Sequence, residues 1–112
     1  MLSSENRLSK KGDFDRVKAE GKLFQEKDFA ALIFNRGDVA LSRFGFVVSN
    51  KISGLSTQRN RIKRALNEAV RHNLASIGKG CDMVFLAKKS IAKKSTEEIM
   101  REVDLLIKKI SG

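Results

Sequence analysis

Hydrophobic residues recur at helical spacing in the middle of the chain. This stretch opens with residues 59–64, which read Arg-Asn-Arg-Ile-Lys-Arg, and runs to about Leu74. It begins after Ser56 or Thr57, either of which can cap a helix. Its apolar positions predict an amphipathic helix whose buried stripe is Ile62, Ala65, Leu66, Ala69 and Val70.

A second amphipathic pattern lies near the carboxyl end, and a shorter one lies near the amino end. Ser95 and Glu98 form a capping box ahead of a stripe made of Ile99, Met100, Val103, Leu106, Ile107 and Ile110. Residues 13–20 predict a short helix that stops at Gly21. The chain is thus predicted to contain three helices.

Strand patterns fill the remaining segments. Residues 22–35 read as one long strand or as two shorter ones, followed by a second strand at 41–48 and a buried one at 82–87. Turn-forming residues at 35–38 predict a hairpin between the first two. Gly45, within the second strand, has no side chain and is expected to admit a ligand or a backbone closely.

This order of elements, α-β-β-(β)-α-β-α, predicts an α+β fold, a two-layer α-β sandwich. At 112 residues the chain is one domain, 1–112, of which 1–6 are expected to be a flexible amino terminus. Apolar residues make up 41% of the sequence, which favours a folded domain over a disordered basic tail.

Composition bears on the location of the protein. No apolar run approaches the roughly 20 residues that a membrane span needs, and no apolar segment follows a basic start as in a signal peptide. The lone Cys81 fits a reducing compartment and is expected to be a small apolar residue at the start of a strand. We therefore expect a cytoplasmic protein without membrane contact.

Positive charge is concentrated in residues 51–94. This block holds eleven Lys or Arg against two acids, Glu68 and Asp82, so it carries +9 of the net +10. A regional basic patch is typical of nucleic-acid binding, whereas the alternative is an ordinary solvated surface. Cations at 59–64 oppose the helix dipole, which prefers acids there, so this helix start is expected to bind a polyanion.

No catalytic constellation emerges from the residues themselves. His72 is the single histidine, there is no second cysteine, and no glycine-rich phosphate loop follows a strand. A protein-only nuclease is therefore disfavoured. Composition and spacing alone predict a small basic RNA- or DNA-binding domain.

Longer motifs carry a resemblance. Residues 44–51 (Phe-Gly-Phe-Val-Val-Ser-Asn-Lys), a short loop and the hexamer at 59–64 resemble the protein subunit of bacterial ribonuclease P, as do Arg7-Leu8 and Asp13-Phe14. The resemblance spans roughly residues 7 to 110. It implies a sandwich with the rare left-handed β-α-β crossover, which is also found in ribosomal and translation proteins.

The resemblance also implies a function. The protein would bind a catalytic RNA subunit and the 5′ leader of precursor tRNA. The RNA, with Mg²⁺ held by RNA and substrate, would remove the leader hydrolytically. The protein would supply no catalytic residue and no metal site, and no obligatory protein partner is predicted. The alternative is a non-catalytic RNA-binding or ribosome-associated protein of similar fold.

Two groups of site residues follow from the resemblance. The RNA-binding group is Lys51, Arg59, Asn60, Arg61, Lys63, Arg64 and Arg71. The leader-binding group is Arg7, Phe14, Lys18 and Leu32. Asn60 has the alternative of tying the loop to the helix start, and Phe14 that of core packing. Lys18 and Leu32 stand where the family often has aromatic residues, so leader recognition is expected to depend more on charge than on stacking.

Overall fold

The computed structural model describes residues 2–111 as a four-stranded sheet with helices on both sides. In chain order the main elements are α1 (Lys11–Glu20), β1 (Lys22–Gln25), β2 (Phe29–Asn35), β3 (Arg43–Val47), α2 (Ser56–His72), α3 (Leu74–Ile77), β4 (Cys81–Ala87) and α4 (Thr96–Ser111). Short 3₁₀ helices lie at Ser4–Asn6 and Lys89–Lys93.

The sheet is mixed and its strand order is β1-β2-β4-β3. β1 and β2 are antiparallel, β2 and β4 are antiparallel, and β3 and β4 are parallel. The predicted α+β class and the β-α-β unit are confirmed, since α2 joins two adjacent parallel strands. The segment at 22–35 is two strands rather than one, because the chain turns between Glu26 and Phe29, whose backbones are hydrogen-bonded at 2.9 Å.

The predicted hairpin at residues 35–38 is wrong, because β4 lies between β2 and β3. The segment after β2 pairs with the residues ahead of β4 instead, through Arg36 N to Gly80 O at 2.7 Å and Gly80 N to Ala40 O at 2.9 Å. The turn itself exists, and Gly37 adopts a φ of 78° within it. Turn composition therefore located the bend correctly but could not identify the strand that pairs next.

The main core lies between the sheet and the helices α2 and α4. All five predicted stripe residues of α2 are buried, as are four of the six in α4, while Met100 and Ile110 are half-buried. Phe29 and Phe85 meet at the centre, with ring centroids 5.6 Å apart. On the opposite side of the sheet α1 covers a smaller apolar cluster made of Leu8, Val17 and Val84.

Helix ends differ from the predictions at one place. Residue 55 is the amino-terminal cap of α2, so Ser56 and Thr57 lie inside the helix and the predicted cap is wrong. The hydroxyl of Ser53 accepts a hydrogen bond from the Leu55 amide at 3.2 Å instead. The capping box of α4 is confirmed, since the Ser95 and Glu98 side chains each accept the other's amide at 3.1 Å.

The amino-terminal residues that the structure describes have defined contacts. Leu2 is buried, and its amide donates to Asn67 Oδ1 at 3.0 Å. Asn6 Nδ2 donates to the Ser42 carbonyl at 2.9 Å. This segment therefore crosses the edge of the sheet towards α2. Within residues 2–111 no helix is both long and apolar enough to cross a bilayer.

Candidate RNA interface

The polar face of α2 carries most of the predicted RNA-binding residues. Asn60, Lys63, Arg64 and Arg71 are exposed, and Arg61 is half-buried. The first turn of the helix contains no acid, so its unpaired backbone amides and its cations add their positive potential at one place. Lys51 is also exposed, in the loop that precedes the helix.

Arg59 has a second role that the sequence did not indicate. Its guanidinium Nη1 donates to the Ser53 carbonyl at 2.8 Å, and its side chain is half-buried. Asn60 is exposed and makes no hydrogen bond to another side chain or loop within residues 2–111. The side chain that ties the loop to the helix start is therefore Arg59, and the alternative considered for Asn60 does not hold.

The start of α2 is also fixed to the 3₁₀ helix at Lys89–Lys93. Gln58 Nε2 donates to the Ala92 carbonyl at 2.8 Å, and Gln58 Oε1 accepts from the Ser53 hydroxyl. These bonds bring the loop that carries Lys51, the first turn of α2 and the lysine-rich segment 88–94 together. These three parts of the basic block thus lie next to one another.

Arg71 differs from the cations at the helix start because it has an acidic partner. Its Nε and Nη2 atoms lie 3.1 and 2.9 Å from Glu68 Oε2. The hydrogen bond from Arg71 helps to lower the pKa of Glu68 to about 2. The three-residue spacing of the pair is visible in the sequence. Arg71 therefore presents less uncompensated charge than Lys63 or Arg64.

A buried ion network on the α1 side of the sheet was missed by the sequence analysis. Asp82, on β4, is fully buried. It accepts 3.0 and 2.7 Å hydrogen bonds from Arg43 on β3 and a 2.8 Å bond from Arg36. The bond and the charge of Asp82 raise the pKa of Arg43. A lone acid within an apolar strand was the available signal, because a buried carboxylate needs cationic partners.

The same network attaches α1 to the sheet. Arg43 Nη1 donates to Asp13 Oδ2 on α1 at 2.9 Å. The Arg16 guanidinium lies 5.2 Å from the centre of the Phe34 ring and 3.8 Å from Asp82 Oδ2. These contacts fix the position of α1, and with it that of Phe14.

Phe14 lies directly over Gly45. A Cβ atom built on Gly45 would be 2.6 Å from the Phe14 Cζ atom, closer than side chains approach one another. The expected close approach at Gly45 is therefore found, and its partner is the Phe14 ring. The ring is only half-buried, so it both packs on the sheet and keeps a surface towards solvent.

Beyond α1 the same side of the sheet is partly uncovered. We name this surface the sheet cleft, and it is formed by Leu23, Leu32, Val47 and Leu86. Leu23 is 50% and Val47 39% exposed, while Leu32 and Leu86 are half-buried. Lys18 is exposed in the last turn of α1. Leu32 pairs with Val84, which pairs with Gly45, so Leu32 and the Phe14 site are two strands apart on one face.

A cavity of 320 Å³ brings the two predicted groups together. It is lined by Leu2, Asn6, Arg7, Leu8, Phe14, Phe44, Gly45, Phe46, Lys63, Arg64 and Asn67. We name it the edge cavity. Arg7 and Phe14 come from the leader-binding group and Lys63 and Arg64 from the RNA-binding group, whereas the other predicted residues lie outside it. Arg7 is exposed, and its backbone pairs with Phe44.

A carboxyl pair lies away from these surfaces, where the β1–β2 turn meets α4. The Asp28 amide donates to Glu102 Oε1 at 2.8 Å, and Asp28 is buried. Burial and the neighbouring Asp28 raise the pKa of Glu102 to about 7. For Asp28 burial acts to raise the pKa, but hydrogen bonds from Glu102 and Ser90 outweigh it and lower the pKa. The proximity of Asp28 thus favours the protonated form of Glu102.

Within residues 2–111 no three His, Cys, Asp or Glu side chains are arranged to hold a metal ion. Asp13 and Asp82, on the α1 side of the sheet, are ion-paired with Arg43, and Glu68, on α2, is ion-paired with Arg71. The described residues therefore do not fit a protein-borne Mg²⁺ site.

Comparison with known proteins gives consistent results over nearly the whole chain. The ribonuclease P family model matches residues 2–111. The ribonuclease P protein component of Alkaliphilus oremlandii is 36% identical over 110 residues, which are 98% of this chain and 95% of that one. The component from Legionella pneumophila strain Lens is 35% identical over 95% of this chain and 90% of its own length.

Solved structures have the same fold. The ribonuclease P protein from Thermotoga maritima has a TM-score of 0.81 at 33% identity and covers 95% of this chain and 98% of its own. The Staphylococcus aureus protein has a TM-score of 0.85 at 26% identity, with 94% of both chains covered. A mutant of the S. aureus protein, described as defective in mRNA degradation activity, has a TM-score of 0.84 at 25% identity and covers 94% of this chain and 87% of its own.

Proposed function

The chain belongs to the ribonuclease P protein family, and from this premise we propose that it binds a catalytic RNA and the 5′ leader of precursor tRNA. Members are the protein component of an RNA-based endonuclease, so membership implies an RNA partner and a part in tRNA processing. The holoenzyme would act in the cytoplasm and release mature 5′ ends by hydrolysis. The observation that carries this proposal is that one fold presents both a cationic helix face and an open sheet cleft.

The cationic face supports RNA docking. Arg61, Lys63 and Arg64 make no ion pair within residues 2–111. Each cation that meets a phosphate releases condensed counterions, so affinity would fall steeply with salt. A phosphate backbone would therefore be the natural partner of this face.

The sheet cleft supports leader binding. Its apolar floor and the half-buried Phe14 ring offer surfaces on which unpaired bases stack, and such stacking is worth roughly 1–3 kcal/mol per base. Lys18 and Arg7 would supply charge for the leader's phosphates. Because Leu32 replaces an aromatic residue, we expect fewer stacking contacts than in relatives that have one there.

Magnesium would be held by the RNA and the substrate. Bound Mg²⁺ polarises a scissile phosphate and generates hydroxide. The contribution of this chain is positive potential near the RNA phosphates, from Lys63, Arg64 and their neighbours. That potential would lower the Mg²⁺ concentration at which the RNA folds and cleaves.

Reconstitution tests the proposal. Precursor tRNA is incubated with the purified chain alone, with ribonuclease P RNA from the same genome alone, and with both, across a Mg²⁺ titration. We expect cleavage at the mature 5′ end with both components at a lower Mg²⁺ midpoint than with RNA alone. An unchanged midpoint and an unchanged affinity for leader-bearing substrate would refute the proposal.

A second candidate function comes from the S. aureus relative with mRNA degradation activity. The reconstitution includes an mRNA substrate with the chain alone. Degradation that survives purification and is lost in an interface variant such as Lys63→Gln would support it. Absence of degradation at concentrations that saturate RNA binding would reject it.

A further inference from the structure

The edge cavity lies at the outer edge of the sheet and reaches both of its sides. Phe44 and Phe46 point towards the core beneath α2, whereas Gly45, between them, faces Phe14 on the α1 side. The amino-terminal segment closes one end, since the Leu8 amide donates to the Phe44 carbonyl at 2.9 Å. The result is a pocket with aromatic walls on two sides of one strand.

Polar groups converge on this pocket from the backbone of β3 and from α2. Peptide groups alternate in direction along a strand, so Phe46, two residues after Phe44, also directs its N–H and C=O towards the outer edge. Among residues 2–111, Phe44 is the last residue of β3 that pairs with another segment at the outer edge of the sheet, and its partner is Arg7. Asn67 uses its Oδ1 to accept from Leu2, and its Nδ2 group donates no hydrogen bond within the same residues. Two donors and an acceptor are therefore available.

The rim of the pocket is cationic. Arg7, Lys63 and Arg64 surround it, and no acidic side chain lines it. Its 320 Å³ volume is at the lower end of the roughly 300–1,000 Å³ typical of small-molecule sites. An aromatic wall, a few fixed hydrogen-bonding groups and a cationic rim match a planar heterocycle attached to phosphates.

We infer that the edge cavity receives a single unstacked nucleotide of the RNA partner, with its base against Phe46 and its phosphates on Lys63 and Arg64. This rests on the proposed function, because it presumes an RNA partner on α2. The RNA partner is favoured over the leader because two of the three rim cations belong to α2, whereas the sheet cleft lies on the α1 side, beyond Gly45. The protein would thereby read one extruded base and not only the backbone.

A pair of isosteric variants separates this inference from general electrostatics. Asn67→Asp keeps an oxygen for the Leu2 amide but replaces the free donor in the cavity with a negative charge. Asn60→Asp is the matched control, because it places the same charge on the same helix outside the cavity. Each new carboxylate also has an arginine four residues further on, Arg71 or Arg64. Thermal unfolding of both variants verifies that they fold.

Binding is measured by titration of each protein into ribonuclease P RNA from the same genome, without precursor tRNA. Dimethyl sulfate and carbodiimide then probe unpaired bases in the complexes. We expect the wild-type chain to protect one base that Asn67→Asp leaves reactive and Asn60→Asp still protects. Asn67→Asp should weaken binding about tenfold more than the control, the scale of one lost stacked base.

Equal losses of affinity and protection in the two variants would overturn the inference and leave the proposed function intact. Protection that appears only after leader-bearing precursor tRNA is added would also overturn it, because the occupant would then be a leader nucleotide. A wild-type chain that binds no ribonuclease P RNA would overturn the proposed function as well.

Discussion

Replacing Arg43 with methionine is expected to destabilise the fold strongly, because the buried Asp82 carboxylate would accept hydrogen bonds from one arginine instead of two. Arg43 makes two of the three hydrogen bonds to Asp82 that are 3.0 Å or shorter, and its third donor reaches Asp13 on α1. Methionine is apolar and of similar length, so the change removes charge and hydrogen bonds while leaving most of the packing volume.

The magnitude follows from burial and from what remains. Breaking a buried ion pair by removing one partner costs about 3–5 kcal/mol. Asp82 has no exposed side-chain surface, which favours the upper end, but Arg43 is 26% exposed and Arg36 stays 2.8 Å from Asp82. We therefore expect a loss of about 3 kcal/mol in the free energy of unfolding. Domains of this size are stable by about 5–15 kcal/mol, so the variant should still fold.

Urea unfolding followed by circular dichroism measures this loss, and amide hydrogen exchange locates it. Exchange should accelerate most in α1, because Arg43 is one of the side chains that attach it to the sheet, while α4 keeps the protection set by global unfolding. Arg101→Met serves as the control, since Arg101 is exposed on α4. A loss below about 1 kcal/mol, or equal acceleration in α1 and α4, would refute the role of Arg43 as the link between α1 and the sheet.

Three further predictions concern binding and pH. Phe14→Ala should weaken binding of leader-bearing tRNA by roughly tenfold and that of mature tRNA much less, and equal losses in filter binding would exclude a leader role for Phe14. Lys63→Gln should reduce the slope of log affinity against log salt by about 1, and Arg71→Gln by less, because Glu68 already pairs with Arg71; equal reductions in a salt titration would contradict this. Because the pKa of Glu102 is raised to about 7, the stability it confers is present below pH about 4.5 and is lost as pH rises to about 7. The free energy of unfolding of Glu102→Gln relative to the wild type should therefore rise by about 1–2 kcal/mol between pH 4.5 and pH 8, after allowance for the partial exposure of Glu102. Urea unfolding at the two pH values measures this rise, and the same difference between variant and wild type at both would contradict it.

The parts of the fold that local patterns determine were predictable. The stripes of α2 and α4 follow from spacing alone, because each helix needs one apolar face, and the Ser95–Glu98 box is a contact over three residues. Strand order was not predictable in the same way. β4 lies between β2 and β3 although it comes last of the four strands along the chain, and pairing with such a distant segment leaves no mark on the turn at 35–38.

The candidate site shows a similar division between what charge counting can and cannot determine. The basic block at 51–94 predicted the cationic surface correctly, but a count cannot tell which cations have partners. Arg59 is bonded to a loop carbonyl and Arg71 to Glu68, whereas Lys63 and Arg64 line the edge cavity. Only the fold separates cations that hold the protein together from those that face a ligand.

This separation has a physical rationale that connects stability with binding. Asp82 is one of the two acids of the basic block, and it is buried with Arg36 and Arg43 on the α1 side of the sheet. It therefore lies on the opposite side of the sheet from α2, whose exposed face depends on positive charge. If Asp82 were exposed near α2, it would neutralise part of the potential that attracts phosphate. In its buried position Asp82 instead holds Arg43, which fixes the position of α1 and therefore that of the Phe14 ring over Gly45. The same carboxylate thus leaves the cationic face undiminished and fixes the aromatic wall beside it.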